Sequence, residues 1–265
     1  MKTRTLVISL LILISFTRTY GQILHTESFS VILDTSKLIK GNIVPDFKFQ
    51  NLKENLIEFE NTSDITFRMK KSAITIANKI ELSKYGKEVL LSGGFLYIEY
   101  RKTFDSRFVF EPYSQLHWSE SRGLELKYAG GINLRYRIYL SEMIGFYFGT
   151  GPFYEFEKWN YHGVRDDLVP TNPIDVVREQ YKLGSYVSFK LKTDFNFDFD
   201  ISLYYQSSFE ELFASPRLAS SSSIKYNFTE HLGLVLQYQN IYDYKPVVPI
   251  DKLYNKILFS FEVSF

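Results

Sequence analysis

Apolar and polar side chains alternate with a period of two along much of the chain. The pattern is clearest at the C-terminus, where one face of the last segment carries only apolar side chains: Ile257, Phe259, Phe261, Val263 and Phe265. The residues between them are Leu258, Ser260, Glu262 and Ser264. Because successive side chains of a β-strand point to opposite faces, this segment is predicted to be a strand with one wholly apolar face.

The same period recurs upstream. One face of a second segment carries Phe195, Phe197, Phe199, Ile201, Leu203 and Tyr205, and the other carries Asn196, Asp198, Asp200, Ser202 and Tyr204. A helix would scatter both sets around its circumference. Applied to the whole chain, the pattern predicts twelve strands, near residues 42 to 51, 56 to 70, 73 to 84, 91 to 103, 107 to 119, 123 to 139, 143 to 158, 177 to 192, 195 to 209, 216 to 228, 232 to 244 and 254 to 265.

Each predicted strand has one face without charge over the stretch that would lie at bilayer depth, and charged side chains on the other face. This predicts an all-β fold, a transmembrane antiparallel up-and-down β-barrel of about twelve strands, with a range of about ten to fourteen. The polar side chains expected to line its lumen are Glu58, Glu60, Asp64, Arg68, Glu99, Arg101, Glu111, Arg135, Arg137, Glu155, Glu157, Lys190, Asp198, Asp200 and Glu262. The alternative is a soluble sandwich or barrel, whose apolar face would point inward.

The lengths of the predicted connections also favour a membrane barrel. Counted back from a periplasmic C-terminus, the short turns near residues 229–231, 193–194, 140–142, 103–106 and 70–72 fall at one end. The longer connections, near residues 161–176, 210–215 and 246–252, fall at the other end. Short periplasmic turns opposite longer outer loops are typical of outer-membrane barrels.

The N-terminus predicts export. Lys2 and Arg4 precede an apolar run from Leu6 to Phe16, which is shorter than the ~20 residues of a spanning helix. We therefore expect a signal peptide at residues 1–21, an N-terminal periplasmic tail or extra strand at 22–41, and the barrel at 42–265. The destination is the outer membrane of a Gram-negative bacterium, where lipid surrounds the barrel.

Composition narrows the classes further. The 20 Tyr and 24 Phe suit strands and bilayer interfaces. Cleavage after Gly21 removes Lys2, Arg4 and Arg18 but no acid, so the formal charge falls from +1 to −2 and a nucleic-acid partner is excluded. The chain has no cysteine, which excludes disulfides and thiolate metal sites. No cofactor is predicted.

Two short segments resemble known targeting sequences. The alternating Phe259, Phe261, Val263 and terminal Phe265 resemble the assembly signal that the barrel-assembly machinery recognises during outer-membrane insertion. The Tyr-Gly-Gln junction at residues 20–22 resembles signal peptides of Bacteroidetes. The resemblance implies a Bacteroidetes-type outer-membrane barrel.

From about Val44 to Trp159 the chain resembles the domain-of-unknown-function 481 family, which includes salt-induced outer membrane proteins. The residues that carry this resemblance are LIEFENTSDITF (56–67), FLYIEYR (95–101), GGINLRY (130–136) and GTGPFYEF (149–156). It implies an outer-membrane barrel without established catalytic residues.

One arrangement could support catalysis. His117 and Ser119 lie two residues apart on a predicted strand and share a face, as in outer-membrane phospholipase A, and Asn133 has the matching parity on the next strand. A histidine oriented by an amide could activate the serine for attack on an ester. However, the parity directs all three into the lumen rather than toward lipid. The simpler interpretation is that His117 is a solvated side chain near the outer rim of the barrel.

Other candidate chemistry is weaker. Asp166 and Asp167 share the longest loop with His162, near Glu179, where exposed carboxylates could bind a divalent ion, but a solvated loop is the simpler interpretation and no metal site is predicted. The sequence thus favours an envelope-adaptation or structural barrel, not an enzyme, with a charged and largely filled lumen. The alternatives are a narrow passive channel for ions or small solutes, and a lipid-active esterase that uses His117 and Ser119.

Overall fold

The alternating segments form strands in a computed structural model, which describes residues 38–51, 54–103 and 107–265. The strands of this part are β1 (Ile39–Asn51), β2 (Asn55–Met69), β3 (Ser72–Tyr85), β4 (Glu88–Thr103), β5 (Phe108–Ser119), β6 (Leu124–Leu140), β7 (Ile144–Trp159), β8 (Val176–Lys192), β9 (Phe197–Ser208), β10 (Arg217–Asn227), β11 (Leu232–Asp243) and β12 (Leu253–Ser264). Short 3-10 turns lie at Glu120–Arg122 and Asp166–Leu168.

Each strand pairs antiparallel with its neighbours in sequence, and β1 pairs with β12, so that the sheet closes into a barrel. The predicted twelve-stranded antiparallel barrel is confirmed. Three strand starts differ from the prediction by two or more residues. β4 begins at Glu88 instead of 91, because its pairing with β3 continues to Tyr85–Glu88. β1 begins at Ile39 instead of 42, because Gly41 still bonds to Phe265 through both backbone groups. β9 begins at Phe197 instead of 195, because Asn196 adopts a turn conformation with φ of 63°.

Residues 39–41 are predicted to be part of the N-terminal tail or extra strand, but they belong to β1. The predicted signal peptide at 1–21 and the tail from 22 to 37 lie outside the described residues. In the described part of the chain, no helix is long and apolar enough to cross a membrane.

The two ends of the barrel differ in the lengths of their connections. The end that carries the start of β1 and the end of β12 is here called the turn end. Its described connections include residues 70–71, 141–143, 193–196 and 228–231. The opposite end, here called the loop end, holds the three longest connections, at residues 160–175, 209–216 and 244–252. This asymmetry is the predicted one, with short periplasmic turns and longer outer loops.

The apolar faces of the strands point outward. Leu134, Ile201, Leu203 and Phe261 are among the large apolar side chains that lie exposed on the outer wall, while the alternate positions of the same strands are buried or half-buried inside. β7 shows the alternation over its whole length, since every odd-numbered residue from Gly145 to Trp159 is buried. A soluble barrel would place the apolar face inside, so that alternative is wrong and the barrel is a transmembrane one.

The seam between β1 and β12 has the shortest ladder of the barrel. Its recorded pairs are Asn42 with Ser264 and Ile43 with Val263, next to the two backbone bonds between Gly41 and Phe265, at 3.1 and 3.0 Å. Consecutive strands pair over nine or more positions, as β4 and β5 do. Most of the outer part of β1 thus has a partner strand on one side only, namely β2.

Candidate functional site: the lumen and its loop-end cover

Glu155 on β7 lies at the centre of a buried ionic network inside the barrel. Its carboxylate contacts Lys127 Nζ at 2.6 Å, Lys182 Nζ, and Arg217 Nη1 at 3.3 Å. These side chains reach Glu155 from β6, β8 and β10, so the contacts connect several strands of the wall. All four are almost completely buried, which means that water does not separate the charges.

Two more acids complete this network toward the loop end. Glu157 accepts hydrogen bonds from Arg178 Nη2 at 2.6 Å and from Arg178 Nε at 3.1 Å, and it lies 3.3 Å from Arg217 Nη2. Asp243 on β11 accepts a hydrogen bond from Arg217 Nε at 2.9 Å. Arg217 thereby joins carboxylates from β7 and β11, and it fills the lumen between those strands.

A second buried network lies on β4, β5 and β6. Glu111 accepts a hydrogen bond from Tyr186 OH at 2.6 Å, and Arg135 Nε lies 3.1 Å from the same carboxylate and 2.8 Å from the tyrosine oxygen. Arg101 Nε lies 3.3 Å from Glu111 and also contacts Glu99. Tyr186 is on β8, so this network too reaches across the lumen.

A third group surrounds Lys256 on β12. Its Nζ lies 2.8 Å from Glu81 on β3 and 3.2 Å from Glu60 on β2. Lys79 on β3 shares both acids, with its Nζ 2.8 Å from Glu60. The Lys256 side chain therefore connects β12 to β2 and β3, and it passes the inner side of β1 to do so.

The remaining predicted lumen residues lie on the same inward faces. Their recorded partners are Lys190 with Asp200 at 2.7 Å, Glu262 with Lys225 at 2.5 Å, Asp198 with Asn227 at 3.0 Å, Asp64 with Asn42 at 3.2 Å, Arg137 with Thr103 at 3.2 Å, and Glu58 with Lys48 at 2.8 Å. Arg68 shares the inward parity of β2. Six further inward charges are missing from the predicted set, although each has the parity of a predicted lumen residue on its own strand or on a neighbouring strand. They are Lys127, Arg178, Lys182, Arg217, Asp243 and Lys256.

The inward charges are unevenly exposed around the barrel. Glu155, Glu157 and Arg217, on β7 and β10, are at most 3% exposed. On β1 and β2, the side chains of Lys48 and Glu58 are 48% and 40% exposed. Inward side chains thus fill the lumen beside β4–β8 and β10. The inward face of β1 and β2 is accessible to water near the loop end, at Lys48 and Glu58, and is half-buried nearer the turn end, as at Asn42 and Asp64.

The structure separates the residues of the esterase hypothesis. His117 and Ser119 share the inward face of β5, but the cross-strand partner of His117 is Lys127, whereas Asn133 pairs with Glu111. Six strand positions between Lys127 and Asn133 correspond to about 20 Å. Asn133 cannot orient His117 over that distance, so this arrangement of three residues is wrong.

The loop end of the lumen is covered by apolar side chains. Leu124, Trp159, Val164 and Val248 form a buried cluster that joins the connections 160–175 and 244–252. The connection after β7 approaches closely enough that a Cβ on Gly163 would lie 2.3 Å from a backbone atom of Arg122. The two loops therefore fold over the mouth and narrow it.

Arg122 holds this cover in place from the connection between β5 and β6. Its guanidinium lies 3.6 Å from the ring centroid of Tyr254 and 5.9 Å from that of Trp159. The side chain is 3% exposed, and burial lowers its pKa to about 10, so it stays cationic at neutral pH. A cation stacked on two aromatic rings ties the turn after β5 to β12 and to the end of β7.

Arg122→Ala should loosen the loop-end cover. Loss of a desolvated cation–π contact of about 2 kcal/mol corresponds to roughly 30-fold more frequent local opening. We expect trypsin to cut the folded, detergent-solubilised barrel after Arg165 in the long loop correspondingly faster, as measured by mass spectrometry of the fragments. Lys245→Ala, which removes only an exposed ion pair with Glu211, is the control and should leave the rate unchanged. Equal rates in both variants would contradict the role of Arg122.

The loop acids form no metal centre in the described part of the chain, where no group of three or more His, Asp or Glu side chains could hold an ion. Asp167 lies near Arg165, with Oδ1 3.7 Å from Nε, and Glu179 accepts a hydrogen bond from Tyr154 OH at 2.9 Å. The divalent-ion hypothesis for Asp166, Asp167, His162 and Glu179 therefore has no support in the geometry.

No family model matches the chain, and no curated protein matches it either, so membership of the domain-of-unknown-function 481 family stays a prediction. Among solved structures, the KdgM porin is similar over 86% of this chain and 99% of its own, at 10% identity and a TM-score of 0.47. The NanC porin is similar over 86% and 98%, at 9% identity and a TM-score of 0.44. The toluene transporter TodX of Pseudomonas putida is similar over 94% and 86%, at 8% identity and a TM-score of 0.41.

Proposed function

We propose that this chain is an integral outer-membrane barrel that acts as a narrow passive channel for ions and small polar solutes. The observation that carries the proposal is the uneven exposure of the inward charges. Near the loop end of β1 and β2, Lys48 and Glu58 keep 48% and 40% of their side-chain surface accessible, although they lie on inward faces of the barrel. Accessible charges on an inner wall provide a polar path along which an ion can exchange its hydration shell.

The filled part of the lumen limits the width of that path. The networks around Glu155 and Glu111 occupy the wall from β4 to β8, and the cluster of Trp159 and Val248 covers the loop end. The same filling favours the second candidate, an envelope-adaptation or structural barrel that conducts nothing. The esterase alternative has no comparable support, because the residues it needs lie apart.

We further propose that the barrel is inserted in the outer membrane of a Gram-negative bacterium. The outward apolar belt suits an outer membrane, and the export segment predicted at residues 1–21 would deliver the chain there. Phe259, Phe261, Val263 and Phe265 all lie exposed on the outer wall. We propose that the barrel-assembly machinery binds this C-terminal face during insertion.

Planar-bilayer recording tests the channel. Purified barrel in a membrane at high salt should give small, voltage-independent current steps. If no steps occur over many insertions, the channel is refuted and the structural barrel remains.

Glu58→Lys should shift the ion selectivity of those steps. The substitution reverses an accessible inward charge, so the reversal potential in a salt gradient should move toward that of an anion-selective pore. Glu179→Lys makes the same change on β8 outside the lumen, and it should leave the reversal potential unchanged. Equal effects of the two substitutions would show that the current does not pass along the β1–β2 wall.

A further inference from the structure

The ladder between β1 and β12 stops at a proline. Alternate residues of β1 direct their backbone groups toward β12, and Gly41, which donates to and accepts from Phe265, sets that alternation. Ile43 continues it against Val263, and Pro45 is the next residue on the same side, where a continued ladder would place Phe261. Proline has no backbone N–H, so the next hydrogen bond toward β12 lacks its donor.

Two other strand prolines show that a missing donor does not by itself open the wall. Near Pro112, β4 and β5 are paired at Lys102–Phe110 and again at Glu99–Tyr113, but not at the two positions between them. Near Pro152, β6 and β7 are paired at Gly131–Phe153 and again at Leu134–Thr150, but not at the two positions between them. Beyond Pro45 no further pair between β1 and β12 is recorded among the described residues.

The side chains along this part of the seam are unusually open. Phe47 on β1 and Phe259 on β12, which a continued ladder would set opposite each other, are 66% and 67% exposed. On the inward side of β1, Asp46, Lys48 and Gln50 are exposed as well. The outer, lipid-facing surface and the charged lumen thus approach each other between these two strands.

We propose that the seam between residues 45–51 of β1 and residues 253–261 of β12 is a lateral opening. Through it, the lumen admits from the membrane a single-chain amphiphile with an uncharged, hydroxyl- or amide-bearing head. Lys256 spans the inner side of the opening through its ion pairs with Glu60 and Glu81. It keeps β12 attached to β2 and β3 while the backbones of β1 and β12 stay unpaired with each other along this segment.

The chemistry of the two edges defines the class of ligand. The exposed phenylalanines Phe47 and Phe259 suit a hydrocarbon chain. At membrane depth, an unpaired backbone N–H needs a hydrogen-bond acceptor and an unpaired C=O needs a donor. A hydroxyl or an amide in the head of the ligand supplies both. The nearby lysines Lys48, Lys79 and Lys256 already pair with Glu58, Glu60 and Glu81, so an anionic head would have to displace an existing ion pair. A cationic head would meet a single exposed acid on β1, Asp46.

Disulfide trapping tests the opening directly, because the chain has no cysteine of its own. The pair Phe47→Cys with Phe259→Cys should cross-link at least tenfold more slowly under a mild oxidant than two control pairs. The controls are Leu236→Cys with Phe259→Cys and Ile43→Cys with Val263→Cys, both at recorded cross-strand positions. Retained heat-modifiable migration shows that each variant is folded. A seam pair that cross-links as fast as the controls would overturn the opening.

Pro45→Val should close the seam, since it restores the missing donor. In that background the Phe47→Cys and Phe259→Cys pair should cross-link at the rate of the controls. Pro112→Val is the matched substitution at a proline whose ladder already resumes, and it should leave the rate of the seam pair slow. If Pro45→Val also leaves it slow, the proline does not hold the seam open.

Fluorescence quenching tests the ligand. Gln50→Cys, inward on β1, and Ser223→Cys, inward on β10, are each labelled with bimane in phospholipid vesicles that contain a monoacylglycerol with a brominated chain. The label at position 50 should be quenched, the label at 223 should not, and Pro45→Val should abolish the difference.

Absence of quenching at position 50 would refute entry of the ligand through the seam. Stronger quenching by a brominated fatty acid or alkylamine would refute the uncharged head. Quenching in a barrel that gives no current steps would refute the channel and retain the opening.

Discussion

Glu155→Gln should lower the free energy of unfolding of the barrel by about 3–5 kcal/mol. The substitution preserves shape but removes the negative charge that Lys127, Lys182 and Arg217 share in a buried site. Three buried cations would then have only Glu157 and Asp243 as nearby anions, and an uncompensated buried charge is strongly destabilising. Equilibrium unfolding in urea, followed by tryptophan fluorescence in lipid vesicles, measures the change.

A matched exposed pair provides the control for this prediction. Glu58→Gln removes the same charge from an ion pair with Lys48 that water reaches, so it should cost no more than about 1 kcal/mol. Addition of Lys182→Met to Glu155→Gln should recover part of the loss, since it removes one of the unpaired cations. If Glu155→Gln and Glu58→Gln were equally mild, the lumen around Glu155 would have to be hydrated, and the filled wall would be refuted.

Leu236→Arg should destabilise the folded barrel in a bilayer by about 2–4 kcal/mol. Leu236 lies near the middle of β11 on the outer wall, opposite Phe259, and it is 46% exposed. An arginine at this position would place a charge in hydrocarbon near the midplane. The comparison requires vesicles, because detergent micelles adapt to the charge.

Gln237→Arg is the same substitution one residue further along the strand, on the inward face. Gln237 donates a hydrogen bond to Ser221 at 3.2 Å, and the loss of this hydrogen bond should cost about 1 kcal/mol. The new arginine side chain would point into a polar interior. The difference in unfolding free energy between the two variants measures how differently the lipid-facing and lumen-facing sides of β11 tolerate an added charge. Equal costs, or a larger cost at Gln237, would contradict the orientation of the strand.

The fold was predictable because a barrel wall imposes one simple rule on its sequence. A period of two with one uncharged face follows from strand geometry between hydrocarbon and a polar lumen, and it recurs in every strand. The lumen residues Lys127, Lys182 and Arg217 follow the same rule, and consistent use of parity would have found them. Strand starts such as Ile39 and Phe197 depend on pairing and turn conformation, which no single segment encodes.

Contacts across the lumen could not be predicted. Parity shows that Glu155 and Arg217 point inward, but their contact depends on the stagger of strands that are far apart in sequence. The separation of Asn133 from His117 has the same origin, since it depends on the register between β5 and β6. Arg122 lies in a connection without periodicity, so nothing local distinguishes it from a solvated turn residue.

The order of the strands has a consequence for how the chain reaches this structure. Every backbone pairing between strands except the one between β1 and β12 joins consecutive strands, so eleven of the twelve pairings close only short loops. Closing a ring between the two ends of a long chain carries the greatest entropic cost, and the ladder formed there is the shortest. The barrel can therefore grow hairpin by hairpin as a curved sheet, and final ring closure depends on a few backbone bonds near the turn end, together with the reach of Lys256 behind β1.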